Sequence, residues 1–138
     1  MTTTTEHPAR VAGYASQAAV RAKDKAAWVA LFAADGIVED PVGPSFFDPD
    51  GKGHRGPEAI AAFWDKAIAP TENIEFLFDD SFACGSEVAF TGRIRTTMGG
   101  HIVDAEGVFT YKVAEDGKIL ALRAFWETER AMATLKPL

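Results

Sequence analysis

The sequence predicts an α+β fold, and two observations carry that prediction. Up to residue 68 the apolar residues recur every three to four positions, the period of a helix; from residue 73 they alternate at every second position, the period of a strand. Turn residues at Gly99-Gly100 and Asp116-Gly117 then separate long runs of the second kind. Helices followed by neighbouring strands make a curved, mostly antiparallel sheet with about three N-terminal helices on one face. Such a sheet forms a cone with an apolar interior and one open mouth. At 138 residues the chain fits one domain, 1–138, with 1–8 and 130–138 peripheral.

The first helix is placed at 8–23, where Val11, Tyr14, Ala15, Ala18 and Ala22 share a face that is expected to turn inward. Asp24 can cap a second helix, 25–34, with Ala27, Trp28, Leu31 and Phe32 apolar. Gly36 ends it, and a short strand, 37–40, follows. Residues 43–56 form a long loop rich in Gly and Pro, and its Phe46 and Phe47 suggest a lid over a pocket. Asp48-Pro49-Asp50-Gly51 starts like a calcium loop but lacks the later bidentate acid, so it reads as a turn. Pro57 opens a third helix, 57–68, with Ala59, Ile60, Phe63, Trp64 and Ala67 inward.

In the second half, Ile74, Phe76 and Phe78 alternate with Glu75 and Leu77. In 87–97, Val88, Phe90, Gly92 and Ile94 face one way and Arg93 and Arg95 the other. A third long strand spans 102–113 and a fourth 118–126, where Leu120, Leu122, Ala124 and Trp126 share a face. Residues 127–138 read as a polar tail of weak helical character.

Composition narrows the function. A net charge of −6 with scattered Arg and Lys argues against a nucleic-acid partner. No apolar run reaches the eighteen or so residues of a membrane span, and the polar start lacks a signal-peptide core. A single Cys84 cannot close an intrachain disulfide and suits a reducing cytoplasm, the expected location. Three scattered histidines provide no metal-ligand spacing, and Gly99-Gly100 is not a phosphate loop.

The stretch that organises the chain is Val38-Glu39-Asp40-Pro41-Val42-Gly43. If Val38 points into the core, alternation sends Asp40 to the same apolar face and Glu39 away from it. A carboxyl aimed into an apolar cavity has a raised pKa and can act as a general base near neutrality. The same residues also fit an Asp that closes a strand and begins a turn.

Three runs extend this reading: Leu31-Phe-Ala-Ala-Asp-Gly-Ile-Val-Glu-Asp-Pro-Val-Gly43, Gly56-Pro-Glu-Ala-Ile-Ala-Ala-Phe-Trp64 and Leu122-Arg-Ala-Phe-Trp126. In order and spacing they resemble the ketosteroid isomerase branch of the NTF2-like (SnoaL-like) superfamily, over about residues 10–128. The resemblance implies a cone-shaped NTF2-like barrel, a homodimer paired through the outer sheet face, and a pocket for a steroid-sized apolar ligand. It also implies an enzyme of lipid metabolism in which Asp40 moves a proton from C4 to C6 of a Δ5-3-ketosteroid. Allylic proton transfer needs no cofactor.

Ketosteroid isomerases pair their Asp base with a tyrosine and a neutral Asp as oxyanion donors, and here the sequence departs from the pattern. Aligned on Val-Glu-Asp-Pro, the oxyanion tyrosine falls on Ser16 and its supporting tyrosines on Phe32 and Trp64. Tyr14 lies about 200° around the helix from Ser16, so it takes the role only if the helix is shifted; otherwise it is a packed core residue. The neutral acid falls on Gly107, whose face carries Val103, Ala105, Phe109 and Tyr111. By alternation Asp104 and Glu106 point the other way unless a β-bulge at Gly107 turns them in. Trp126 N–H or water are further candidate donors.

The catalytic candidates are thus Asp40 and Tyr14. The expected substrate contacts are Phe32, Phe63, Trp64, Phe90, Gly107, Phe109 and Trp126. Two alternatives stand beside the isomerase: a non-catalytic binder of steroids or similar apolar molecules, and another lyase, cyclase or epoxide hydrolase on the same scaffold. A dehydratase would need His54 or His101 beside an acid; an epoxide hydrolase would need an inward Arg, whereas Arg93, Arg95 and Arg123 alternate outward.

Overall fold

The computed structural model describes residues 6–138; of the segment expected to be peripheral at the start, residues 1–5 lie outside the described residues. Helices α1 (Pro8–Arg21), α2 (Lys25–Ala30) and α3 (Pro57–Ala67) lead into one sheet. Its strands are β1 (Phe32–Glu39), β2 (His54–Arg55), β3 (Asn73–Cys84), β4 (Glu87–Met98), β5 (His101–Val113) and β6 (Ile119–Trp126), ordered β2-β1-β6-β5-β4-β3. All neighbours run antiparallel except β1 beside β6. The α+β architecture and the curved sheet are as the sequence predicts.

The sheet bends along one row of residues. Phe78 of β3 pairs with Gly92, Gly92 with Gly107, and Gly107 with Trp126. A Cβ on Gly92 would lie 2.4 Å from the Leu77 carbonyl oxygen, and one on Gly107 would lie 2.0 Å from that of Phe125. Two glycines side by side, with a register shift between Phe78 and Asp80, remove the side chains that would hold these strands flat. The register of β5 with β4 is unbroken through Gly107, so Asp104 and Glu106 stay outward: there is no bulge here to reverse them.

Helix α1 lies across the concave side on a different face from the expected one. Its buried residues are Ala9, Ala12, Gly13, Ser16, Gln17, Ala19 and Val20, while Val11 and Tyr14 are half exposed. Close approach decided this. A Cβ at position 13 would stand 2.7 Å from the Phe90 ring and 3.1 Å from that of Tyr111, so the helix can cross these rings only on the face that carries Gly13.

Other features also differ from expectation. Helix α2 stops at Ala30 and β1 begins at Phe32, five residues before the expected strand, because the Leu31 carbonyl accepts from Ile119 N–H at 2.9 Å. That long-range pairing takes backbone groups a longer helix would have used. In β6 a register shift turns Ile119, and not Leu120, fully inward. The tail is not merely peripheral: α4 (Thr128–Met132) buries Ala131 and β7 (Lys136–Pro137) pairs with β5.

The core joins these layers. Trp28 stacks among Phe32, Phe63 and Trp64 at ring separations of 4.9, 6.3 and 5.4 Å. Phe90 sits among Phe78, Tyr111 and the edge of Tyr14.

Candidate active site

The cone encloses a cavity of about 390 Å³, within the usual range for small-molecule sites. Its walls come from alternate positions of each strand: Ile74 and Phe76, then Ile94, Thr96 and Met98, then Val103, Ala105, Phe109 and Tyr111, and last Leu122 and Trp126. Phe63, Ala67 and Ile68 close one side, Ala131 and Met132 of α4 another, and Phe46 and Phe47 the loop side. Phe47 rests edge-on against Phe63, while Phe46 is 77% exposed, an aromatic poised over the opening.

Asp40 is the one acid among the lining residues described. Val38 is fully buried, so strand alternation carries Asp40 to the interior and sends Glu39 outward to Arg123 at 3.0 Å. The backbone is fixed beyond it, since Val42 N–H donates to the Ala124 carbonyl at 2.9 Å. Trp126 Nε1–H donates to Asp40 Oδ1 at 2.7 Å. Burial pushes the Asp40 carboxyl above its ordinary value; the Trp126 hydrogen bond opposes that without cancelling it.

A second polar group faces the same space. Tyr111 is almost fully buried, and its hydroxyl is pushed up to about 12 by burial. Ser16 and Gln17 of α1 stand beside that hydroxyl and pull the other way, and the charge of Asp40 adds to the rise. Ser16 Oγ accepts from Trp28 Nε1–H at 3.0 Å, a bond closed from solvent. Ser16, Trp28 and Tyr111 all line the cavity.

Of the expected contacts, the structure brings Phe63, Phe109 and Trp126 to the cavity with Asp40. Phe32 and Trp64 lie behind Trp28, and Phe90 is covered by α1 at Gly13, so these three belong to the packing beneath the wall. Gly107 has no side chain to offer and sits on the bend. Tyr14, expected as a donor, is placed elsewhere: it is 47% exposed, beside Gln17, Asp79 and Asp80 in a shallow groove outside the cone. The inner stripe of α1 passes through Ser16, and position 14 is rotated away from it.

Trp126, a further candidate donor, does face the cavity, but its N–H is taken up by Asp40; the remaining side-chain candidates and pairs point outward. Asp104 takes a two-pronged bond from Arg95 at 2.8 and 3.1 Å, which holds its carboxyl below the usual range, and Glu106 meets Arg130 at 3.2 Å. His54 packs on the Phe63 ring at 4.9 Å, and His101 turns to the Gly99 carbonyl. Neither reaches the cavity lining, so no His–acid pair forms with Asp40. Among the described residues no cluster of three metal-ligating side chains occurs, and no helix is long and apolar enough to cross a membrane. Sequence reasoning missed Tyr111 as a site residue, although its place on the Phe109 face was the available signal.

Comparison with known proteins agrees with this geometry. A SnoaL-like domain profile matches residues 11–131. A steroid Delta-isomerase from Nocardioides simplex is 33% identical over 110 residues, 78% of this chain and 80% of its own. The Delta 5-3-ketosteroid isomerase from a Mycobacterium species superposes with a TM-score of 0.84 at 34% identity, covering 95% of this chain and 98% of that one. The Mycobacterium tuberculosis protein RV0760c superposes at 0.86 and 34% identity, with 97% and 98% covered, and has also been solved with estradiol-17beta-hemisuccinate. A profile match over most of the chain, and relatives this similar over four-fifths or more of their length, show that the chain belongs to the SnoaL-like (NTF2-like) family, in its ketosteroid isomerase branch.

Proposed function

We propose that this protein is a cofactor-independent steroid isomerase that converts a Δ5-3-ketosteroid into its conjugated Δ4 isomer. The observation that carries the proposal is a lone carboxyl, Asp40, facing a mostly apolar cavity with its pKa raised by burial and its orientation held by Trp126. Asp40 takes the proton from C4; the C4–H electrons move into the C3 carbonyl and leave a dienolate. The electrons then return through the C5–C6 double bond, C6 takes the proton from the Asp40 carboxyl, and the conjugated enone remains. The steroid relatives support an apolar polycyclic ligand, since RV0760c holds a steroid ester. The outer sheet face, with Leu77, Val108 and Phe125 exposed, fits homodimer pairing.

The test is growth of enone absorbance from 5-androstene-3,17-dione. Asp40→Asn is expected to lower kcat by about 10²- to 10⁴-fold, the usual worth of a positioned base. In wild type kcat/KM should rise with pH through the raised Asp40 value and level above it, because only the carboxylate can accept the proton. A variant as active as wild type would end the proposal.

One observation favours a second reading, a steroid-binding protein without turnover. Gly107 stands where the branch has its neutral acid, and Asp104 and Glu106 are engaged outside the cone. Tight equilenin binding with no enone formation by wild type would establish that reading.

A further inference from the structure

We infer, on the basis of the ligand class proposed above, that Tyr111 supplies the hydrogen bond that holds the ligand's oxygen, and that Trp28 and Ser16 position and polarise it in a one-way relay. Trp28 N–H donates to Ser16, Ser16 O–H to Tyr111, and Tyr111 O–H to a ketone or phenol oxygen in the cavity. The donor comes from strand β5 and not from the helix that carries the branch's oxyanion tyrosine.

Direction follows from chemistry. An indole N–H can only donate, so the Trp28–Ser16 bond fixes one end of the chain. Ser16 has then used a lone pair and still holds its hydrogen, and the Tyr111 oxygen is the polar atom beside it. Gln17, only 6% exposed, carries an amide nitrogen without a partner next to the same hydroxyl, so a spare donor also faces the Tyr111 oxygen. With donors on the protein side of that oxygen, its hydrogen is left for the cavity. Bonds that all run one way polarise each other and strengthen the last. A hydroxyl pushed up to about 12 keeps its proton throughout the neutral range and stays a donor.

Placement agrees. Tyr111 pairs with Leu122 and Leu122 with Val38, two residues before Asp40. Two strand spacings and one two-residue step put the Tyr111 and Asp40 backbones roughly 12 Å apart. Both side chains line the same cavity, so a ligand seated there lies within reach of the two. The packing that holds the ring is tight: α1 meets it at Gly13, and Phe90 lies edge-on at 5.8 Å.

The experiment compares wild type, Tyr111→Phe and Ser16→Ala against two steroids, equilenin and its 3-deoxy analogue, which lacks only the oxygen. Tyr111→Phe is expected to weaken equilenin about tenfold and leave the deoxy analogue unchanged, and to lower kcat by about 10²- to 10³-fold with little change in KM. Ser16→Ala should show the same selectivity at about threefold to tenfold in affinity. Equal weakening of both ligands, or of neither, overturns the inference, because a packing role cannot distinguish them. If Tyr111→Phe fails to fold, Ser16→Ala decides by the same criterion. The outcomes separate the two proposals: a wild type without turnover but with oxygen-selective loss in the variants keeps this one and ends the isomerase. Turnover that needs Asp40 but is indifferent to Tyr111 does the reverse.

Discussion

Asp40 is a residue whose chemical use and structural cost have one source. Burial raises its pKa, so the folded chain binds this proton more tightly than the unfolded chain does. The stability this contributes is present below the ordinary carboxylate value and lost as pH rises through the raised one. At pH 7, well above the ordinary carboxylate value, burying this acid therefore weakens the fold, and Asp40→Asn removes that cost while its amide oxygen can still accept from Trp126. The melting temperature of Asp40→Asn is expected to exceed that of wild type at pH 7 and to converge on it towards pH 3.5. A variant equally or less stable at pH 7 would contradict the burial argument. The inward turn of Asp40 was legible because Val38 is apolar and β1 alternates. The orientation of Tyr14 was not, since an alanine-rich helix offers two plausible inner stripes, and only Phe90 and Tyr111 across the gap select between them.

At the scale of an element, the row Gly92–Gly107 controls where the sheet bends and so where Trp126 and Asp40 meet. By the sequence resemblance Gly107 is also the position expected to carry the branch's neutral acid, which makes restoring that acid an obvious substitution. The geometry opposes it: any Cβ there collides with the Phe125 backbone, which cannot swing aside as a side chain could. Gly107→Ala and Gly107→Asp are both expected to cost about 3 kcal/mol or more in urea unfolding, at the upper end for overpacking, and Gly107→Asp should not raise kcat. A stable, faster Gly107→Asp would show that the strands can shift to admit a second donor. Long strands and their turns were readable from period and from Gly pairs, because both are local. The early end of α2 and the inward Ile119 were not, because each depends on β1 pairing with β6 across more than eighty residues.

Over the whole molecule, the distinguishing property is a core left hollow. Around the cavity the described residues pack closely, yet about 390 Å³ at the centre of the cone has no side chain in it. The cone itself could be foreseen from helices followed by long strands; that its centre stays empty could not, because it depends on how far Ala105, Ala67 and the bend keep the walls apart. A hollow lined this way leaves apolar surface uncovered, so an apolar ligand that fills it should stabilise the fold by mass action. At a hundredfold excess over Kd that amounts to about 2.7 kcal/mol, or an upward melting shift on the order of 10 °C for a chain of this length. Equilenin should produce that shift in wild type and in Asp40→Asn alike, since filling the hollow does not need the base. Ala105→Phe, which places a ring on the inner face of β5 opposite Ile94, should abolish the shift while leaving the unliganded protein at least as stable. If Ala105→Phe still responds to equilenin by several degrees, the ligand is binding outside the cone, and the cavity would lose its claim to be the site.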